Sequence, residues 1–223
     1  VPFKKKTMTA AKMQIKAANK SVTKPEKVFC VFCGSSPGSD PAYTEAANEL
    51  GKALAQRGYG LVYGGGDCGL MGSVARSCVV NNGYVHGIIP QALFDRERNA
   101  QIVDGQYGKT TVVNDMHTRK RMMGNEASSG FITLPGGYGS LEELAEVITW
   151  SQLGIHDKPV IVYNINGFFD GLKTFFEHCI DQVFIKRTQK EIVVFANTLE
   201  EVLDQIENYK IPESRYNLKW ENQ

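Results

Sequence analysis

The stretch LPGGYGSLEEL, residues 134–144, gathers residue types that could hold a phosphate and break a bond beside it. Pro135 with Gly136, Gly137 and Gly139 makes a turn that Cβ atoms would obstruct. Ser140 adds a hydroxyl donor. A helix starting here contributes exposed N–H groups and the positive end of its dipole. A monophosphate dianion suits such a cradle. A nucleoside triphosphate is not indicated, because no Gly-Lys-Ser/Thr follows. Ser140 and Glu143 also stand at capping-box spacing, so the stretch reads equally as a plain helix start in which Glu143 reaches back to the Ser140 N–H. The two readings compete for Glu143.

A second group lies in MHTRKR, residues 116–121. Arg119, Lys120 and Arg121 fall early in a predicted helix, where cations oppose the dipole, so a purely structural rationale is poor. The Arg119 guanidinium matches phosphate or carboxylate. Lys120 and Arg121, taken alone, are explained as well by a solvated helix face. A third group, GGGDCG, fits GxGxxG through Gly64, Gly66 and Gly69. The dinucleotide fingerprint, however, belongs to a first strand and needs an acid at the end of the next. Here the glycines follow the second strand and the next ends in GIIP, so the reading is a Gly-rich helix start approached by phosphate or sugar, and not a full NAD site. His117 is a lone histidine and reads as structural first. His156, in LGIHDKPV, reads as the tie of a turn. Met71, Met122 and Met123 read as core or pocket wall.

The elements that must position these groups show in the hydropathy. VFCVFCG, GLVYGGG, YVHGIIP, TTVVN, GFITLPG, KPVIVYN and IVVFAN are mostly continuous apolar runs, the mark of strands buried on both faces. Helical patterns alternate with them: from Asp40 (N-cap) and Pro41 (first turn) to Gly58, then over 69–81, 115–128, 140–153, 168–182 and 199–209. This predicts an α/β fold, a doubly wound, mainly parallel Rossmann-like sheet with helices on both faces, in one domain over residues 28–210. Residues 91–108, long and charged, read as a loop over the site. Ligands in such folds bind outside the carboxyl ends of the strands, and the loops named above all sit there, as does GSSPGSD with Ser35.

The 42% hydrophobic and 22% charged composition is that of a globular domain. The net charge of +1 gives no reason to expect nucleic acid or membrane as a partner. Residues 1–27 carry eight lysines and one glutamate, a net +7, which leaves −6 on the rest. This basic segment reads as a solvated extension or as a short helix laid on a partner subunit, and residues 211–223 as a C-terminal tail. No run of 18 apolar residues suggests a membrane span. The five cysteines lie in apolar or Gly-rich segments and read as reduced, which places the chain in the cytoplasm. Cys30 and Cys33 form a CxxC, but an offset of three along a strand puts them on opposite faces, as two core residues. Without a second CxxC or an HExxH, no zinc site is expected.

With these loops placed, the chain resembles the Lonely guy family, the cytokinin riboside 5′-monophosphate phosphoribohydrolases. PGGYGSLEE resembles that family's PGGxGTxxE motif and MHTRK its second motif. The likeness continues through GSSPGSDPAY, GLVYGGGDCGLMG and ITWSQLGIHDKPV, over about residues 28–210. It implies hydrolysis of the N-glycosidic bond of an adenine nucleoside 5′-monophosphate, often N6-modified, by a cofactor-free and metal-free homodimer. Carried over by motif, Arg119 and Glu143 are the catalytic pair. Gly136, Gly137, Tyr138, Gly139, Ser140, Leu141 and Glu142 belong to the phosphate and substrate loop. Lys120, Thr149, Glu97, Ser35, Gly65 and Met71 complete the substrate site. Ser140 stands where the family has Thr, keeping the hydroxyl and losing a methyl. The alternative reading is a carrier of the same architecture that binds a nucleotide or phosphorylated cofactor without cleaving it. Such a carrier has no need of Arg119 together with Glu143.

Overall fold

A computed structural model describes residues 22–98, 105–216, 218 and 220. Most of the basic extension and part of the 91–108 segment lie outside these residues. The first strand, β1 (Val28–Phe32), is followed by α1 (Pro41–Gln56), β2 (Gly60–Tyr63), α2 (Gly69–Val80), β3 (Val85–Pro90), α3 (Gln91–Glu97) and β4 (Lys109–Val113). After β4 come α4 (Met116–Glu126), β5 (Gly130–Thr133), α5 (Tyr138–Gln152), β6 (Val160–Tyr163), α6 (Asp170–Asp181), β7 (Val193–Ala196) and α7 (Leu199–Asn208). Short 3-10 turns at Ile165–Gly167 and Arg187–Ile192 flank α6.

The seven strands form one parallel sheet in the order β4-β3-β2-β1-β5-β6-β7. This is the doubly wound α/β arrangement expected. The strands β1, β2, β3, β5 and β6 are buried throughout, which is why they read as unbroken apolar runs. The edge strands β4 and β7 are part-exposed. One apolar layer carries Val31, Leu61 and Tyr63 against Leu50, Leu54, Leu70 and Val74 of α1 and α2. The other carries Cys30, Phe32 and Val62 against Met123, Leu144 and Val147 of α4 and α5. Cys30 and Cys33 accordingly lie in different layers, both buried.

Local chemistry sets the helix starts. Asp40 accepts from the Ala42 N–H at 2.9 Å ahead of Pro41. Gly51 lets α1 approach α2 so closely that a Cβ there would stand 2.3 Å from the Val74 carbonyl oxygen. The chain runs outward from β1 to β4 and then returns to β5 on the other side of β1. The strand order therefore reverses between β1 and β5, the place where such sheets open a crevice. The Gly34 N–H donates to Pro135 O at 3.0 Å across that point, which seats the PGG turn on it.

One expectation is corrected here. Residues 91–97 are helical rather than loop. Their first residue directly follows β3 at Pro90, with no side-chain cap, so no start signal marks them in the sequence.

Candidate active site

Arg119 sits in the second turn of α4, whose start is fixed by Asp115 accepting from the Thr118 N–H at 2.8 Å. The residue as a whole is 7% exposed. Nε donates to Ile88 O at 3.2 Å and Nη2 to Gly64 O at 3.1 Å, the ends of β3 and β2. Nη2 also stands 3.9 Å from Glu143 Oε1. A Cβ on Gly64 would lie 2.1 Å from Nη2, so only glycine leaves the guanidinium its place. Met71 fills the adjoining room: a Cβ on Gly66 would meet its methyl at 2.7 Å. Gly65, between them, adopts φ +82, which favours glycine.

Glu143 faces inward from α5 and is 8% exposed. Burial drives its pKa from the ordinary carboxylate value to about 7; Arg119 opposes this, and Glu142, Glu146 and Glu97 reinforce it. Arg119 therefore does not by itself hold this carboxyl in its ionised form. Desolvation outweighs a single guanidinium at 3.9 Å.

The capping box is corrected. Gly137 is the N-cap of α5, and no side chain caps this end. Its extended backbone ends the turn three residues earlier than the sequence suggested, so Ser140 is already helical and Glu143 occupies an interior, α4-facing position. Ser140 turns toward the loop instead: a Cβ on Gly136 would lie 2.1 Å from its Oγ. Positions Gly137 and Gly139 have open space where a Cβ would stand, so the helix N-terminus is accessible.

Around this pair the other candidates distribute unevenly. Glu97 ends α3 beside the glycine loop, accepting from the Asp67 N–H at 3.0 Å through its carbonyl, with its buried Oε2 unpartnered among the described residues. Lys120 bridges α4 to α5, its Nζ at 2.6 Å from Glu142 and 3.0 Å from Glu146. Ser35 is exposed after β1, where the backbone passes within 2.4 Å of a Cβ built on Gly69. Leu141 and Tyr138 are exposed at the start of α5. Thr149 is not brought to this rim: its hydroxyl donates to Ala145 O, and it lines a groove with Phe176 and Ile180 of α6. His117 is exposed on α4. His156 ties a turn, with its Nε2 at 2.9 Å from Val147 O and its Nδ1 accepting from the Lys158 N–H at 3.1 Å; burial pushes its pKa down to about 4.

Two features escaped the sequence reading. Arg98 holds the glycine loop, donating from Nε to Gly65 O at 2.9 Å. A cavity of about 420 Å³ lies between α4 and α5, lined by Lys120, Glu146, Trp150, Phe131, His156 and Trp220 among others. Among the described residues no group of three His, Cys, Asp or Glu side chains is placed to hold a metal ion.

The geometry meets a body of relatives. Over 197 residues, 88% of this chain and 89% of the other, the chain is 45% identical to a cytokinin riboside 5′-monophosphate phosphoribohydrolase of Arabidopsis thaliana. A second from the same plant is 48% identical over 82% of this chain and 78% of its own. One from Oryza sativa subsp. japonica is 44% identical over 87% and 78%. The chain belongs to this phosphoribohydrolase family. The family described as "Possible lysine decarboxylase" also matches this chain, over residues 71–206. Among solved structures, the fold is shared with the molybdenum cofactor binding protein of Rippkaea orientalis (TM-score 0.60, 21% identity, 84% of this chain and 98% of that one). It is shared likewise with the Moco carrier protein of Chlamydomonas reinhardtii (0.60, 19%, 83% and 96%).

Proposed function

We propose that the protein hydrolyses the N-glycosidic bond of an adenine nucleoside 5′-monophosphate, releasing the free base and ribose 5-phosphate. One observation carries the reading: a buried carboxyl with a pKa of about 7 stands 3.9 Å from a fixed guanidinium, two turns below an uncapped helix N-terminus. The first-turn N–H groups of α5 receive the phosphate, an anion doing what no side chain does there. That anchors the sugar with C1′ near Glu143. As the bond from C1′ to the base breaks, its electrons pass to the base and positive charge builds on the sugar. The Glu143 carboxylate stabilises that charge and takes a proton from the attacking water, whose oxygen bonds to C1′; the base leaves with a proton in exchange. Arg119, held by two main-chain oxygens, orients Glu143 and the sugar hydroxyls.

A carrier of the same architecture has no use for a carboxyl desolvated beside a guanidinium, so the hydrolase reading is preferred. Nor does the decarboxylase description find support: burial lowers the pKa of Lys158, but its Nζ is engaged by Gly124 O at 3.1 Å. The cytoplasmic setting and the homodimer belong to the same proposal; the five free cysteines support the first, and the family relationship the second. No helix among the described residues is long and apolar enough to cross a membrane.

Incubation with AMP and with N6-isopentenyl-AMP, followed by chromatography, tests the activity, with free base as the expected product. Adenosine is expected to be a poor substrate. Equal turnover of adenosine and AMP would refute the phosphate role.

A further inference from the structure

The loop that seats Arg119 cannot hold its own shape. Gly64, Gly65 and Gly66 follow β2 in succession, and glycine restricts its backbone less than any other residue. The peptide planes that carry the Gly64 and Gly65 carbonyls are joined at the Gly65 Cα, where φ is +82. Packing confines that Cα from one side. A Cβ on Gly65 would lie 2.9 Å from the Ile89 Cβ, and one on Gly87 would lie 2.7 Å from the Gly65 Cα. The direction of the two carbonyls is left to their partners.

Two guanidiniums supply those partners. Arg119 Nη2 donates to Gly64 O at 3.1 Å, and Arg98 Nε donates to the next carbonyl, Gly65 O, at 2.9 Å. Arg98 is itself tied down. Its own N–H donates to Phe94 O at 3.1 Å, its guanidinium lies 5.8 Å from the centre of the Phe94 ring, and its Nη2 donates to the Thr110 hydroxyl on β4. One residue earlier, Glu97 O accepts from the Asp67 N–H at 3.0 Å. The end of α3 therefore grips the loop on both sides of Gly66. Nε and Nη2 lie on one rigid plane and span from the loop to the edge strand, which a point charge on a flexible stem does not reproduce.

The two anchors of Arg119 differ in kind. Ile88 O belongs to β3 and is fixed by the sheet, whereas Gly64 O belongs to the loop. Freeing Gly65 O lets the Gly64 peptide turn, and Nη2, the atom 3.9 Å from Glu143 Oε1, loses its hold. We propose that Arg98 is a positioning residue for base release: it holds the Gly65 carbonyl, the loop thereby holds the Gly64 carbonyl, and that oxygen holds the Arg119 guanidinium beside Glu143. The inference rests on the nucleotide-hydrolase reading and adds to it a residue outside the PGGYGS and MHTRK stretches. Glu143 is faced by Arg119 from α4, by Glu142 and Glu146 on α5 with Lys120 paired to both, by Glu97 from α3, and by the Cys30 and Cys33 thiols from β1. Arg119 opposes the effect of burial on Glu143, so its withdrawal raises the pKa of the carboxyl.

Arg98→Lys keeps the charge and loses the planar fork; Arg98→Met keeps the aliphatic length and loses both. Base release from AMP is measured across pH, with urea unfolding alongside. In Arg98→Met, kcat is expected to fall about tenfold with KM within about twofold of the wild type, and Arg98→Lys to show a smaller fall. The rise of kcat/KM with pH, near 7 in the wild type, is expected to move upward in both, by about one pH unit in Arg98→Met. Lower urea stability with kcat and the pH of the rise unchanged would make Arg98 structural only. A raised KM at unchanged kcat would make it a substrate contact, and wild-type behaviour of Arg98→Lys would make its effect one of charge alone. Each of these results overturns the proposal. If Arg98→Met does not fold, Arg98→Lys decides by the same readings. If the wild-type chain releases no base, the hydrolase reading fails by itself, and carbon-13 NMR titration of the Glu143 carboxyl then judges the link. A higher pKa in Arg98→Lys than in the wild type supports it; an equal one overturns it.

Discussion

Two carboxyls on the same side of the sheet, one half-buried and one buried, are treated in opposite ways. Glu126, at the end of α4, is met by His86 Nδ1 at 2.7 Å and by the Tyr84 hydroxyl at 2.9 Å, while His86 Nε2 reaches Thr111 Oγ1 at 2.8 Å. Burial pushes its pKa up, but His86 and Tyr84 together outweigh burial and hold it below the usual value. Glu143, on α5, has among the described residues a guanidinium at 3.9 Å, and burial wins, to about 7. The satisfied carboxyl lies toward the amino ends of the strands, the unsatisfied one at their carboxyl ends. The first arrangement ties β3 and β4 to α4. The second leaves a group poised between its charged and neutral forms near neutral pH, as a proton-transferring residue requires. The difference teaches that burial alone does not mark a functional acid; the number of partners does.

The largest expected effect breaks the pair on the Glu143 side. Glu143→Gln should lower kcat by at least about a hundredfold, read as base release from AMP. Next, Gly64→Ala forces Nη2 of Arg119 off its place, and kcat/KM should fall about ten- to a hundredfold while the sheet stays folded by circular dichroism. Glu126→Gln should act on the other side of the comparison. It should cost about 1–3 kcal/mol of stability in urea unfolding, with kcat of the folded enzyme unchanged. A loss of activity there with no loss of stability would erase the division between the two acids.

The last test sharpens the comparison through pH. Glu143 has a folded-state pKa near 7 against an unfolded one near 4.5, so the unfolded chain releases its proton first as pH rises. Its neutral form is accommodated in full below about pH 4.5, and stability declines from there to about pH 7, by up to about 3 kcal/mol. Glu143→Gln should flatten that decline between pH 5 and 8 in urea midpoints. In kcat/KM the same ionisation should appear as a rise with pH through about 7, because the carboxylate is the active form.

The sheet was legible because its strands are buried on both faces and its helices carry ordinary signals, such as Asp40 before Pro41. The convergence of the glycine loops followed from parallel strands alone. What was not legible depended on backbone angles or tertiary reach. Ser140 and Glu143 have capping-box spacing, yet the extended Gly137 starts the helix earlier and turns Glu143 inward. Thr149 shares a motif stretch with the site but lies on the α6-facing side of α5, a choice of face that a motif does not encode. Residues 91–97 form a helix without a capping residue. Trp220 sits in a tail with no periodicity, and only its hydrogen bond to Leu153 O shows where it lies.

Arg119 is held by the carbonyls of Gly64 and Ile88, oxygens that every amino acid supplies. Its position is therefore inherited from how β2 and β3 end, and not from the identity of the side chains around it. Apart from the glycine that must stay small and the Arg98 that holds the next carbonyl, neighbouring side chains are free to drift over generations without releasing the guanidinium. Substitutions at the cavity walls therefore leave the main-chain hold on the guanidinium in place.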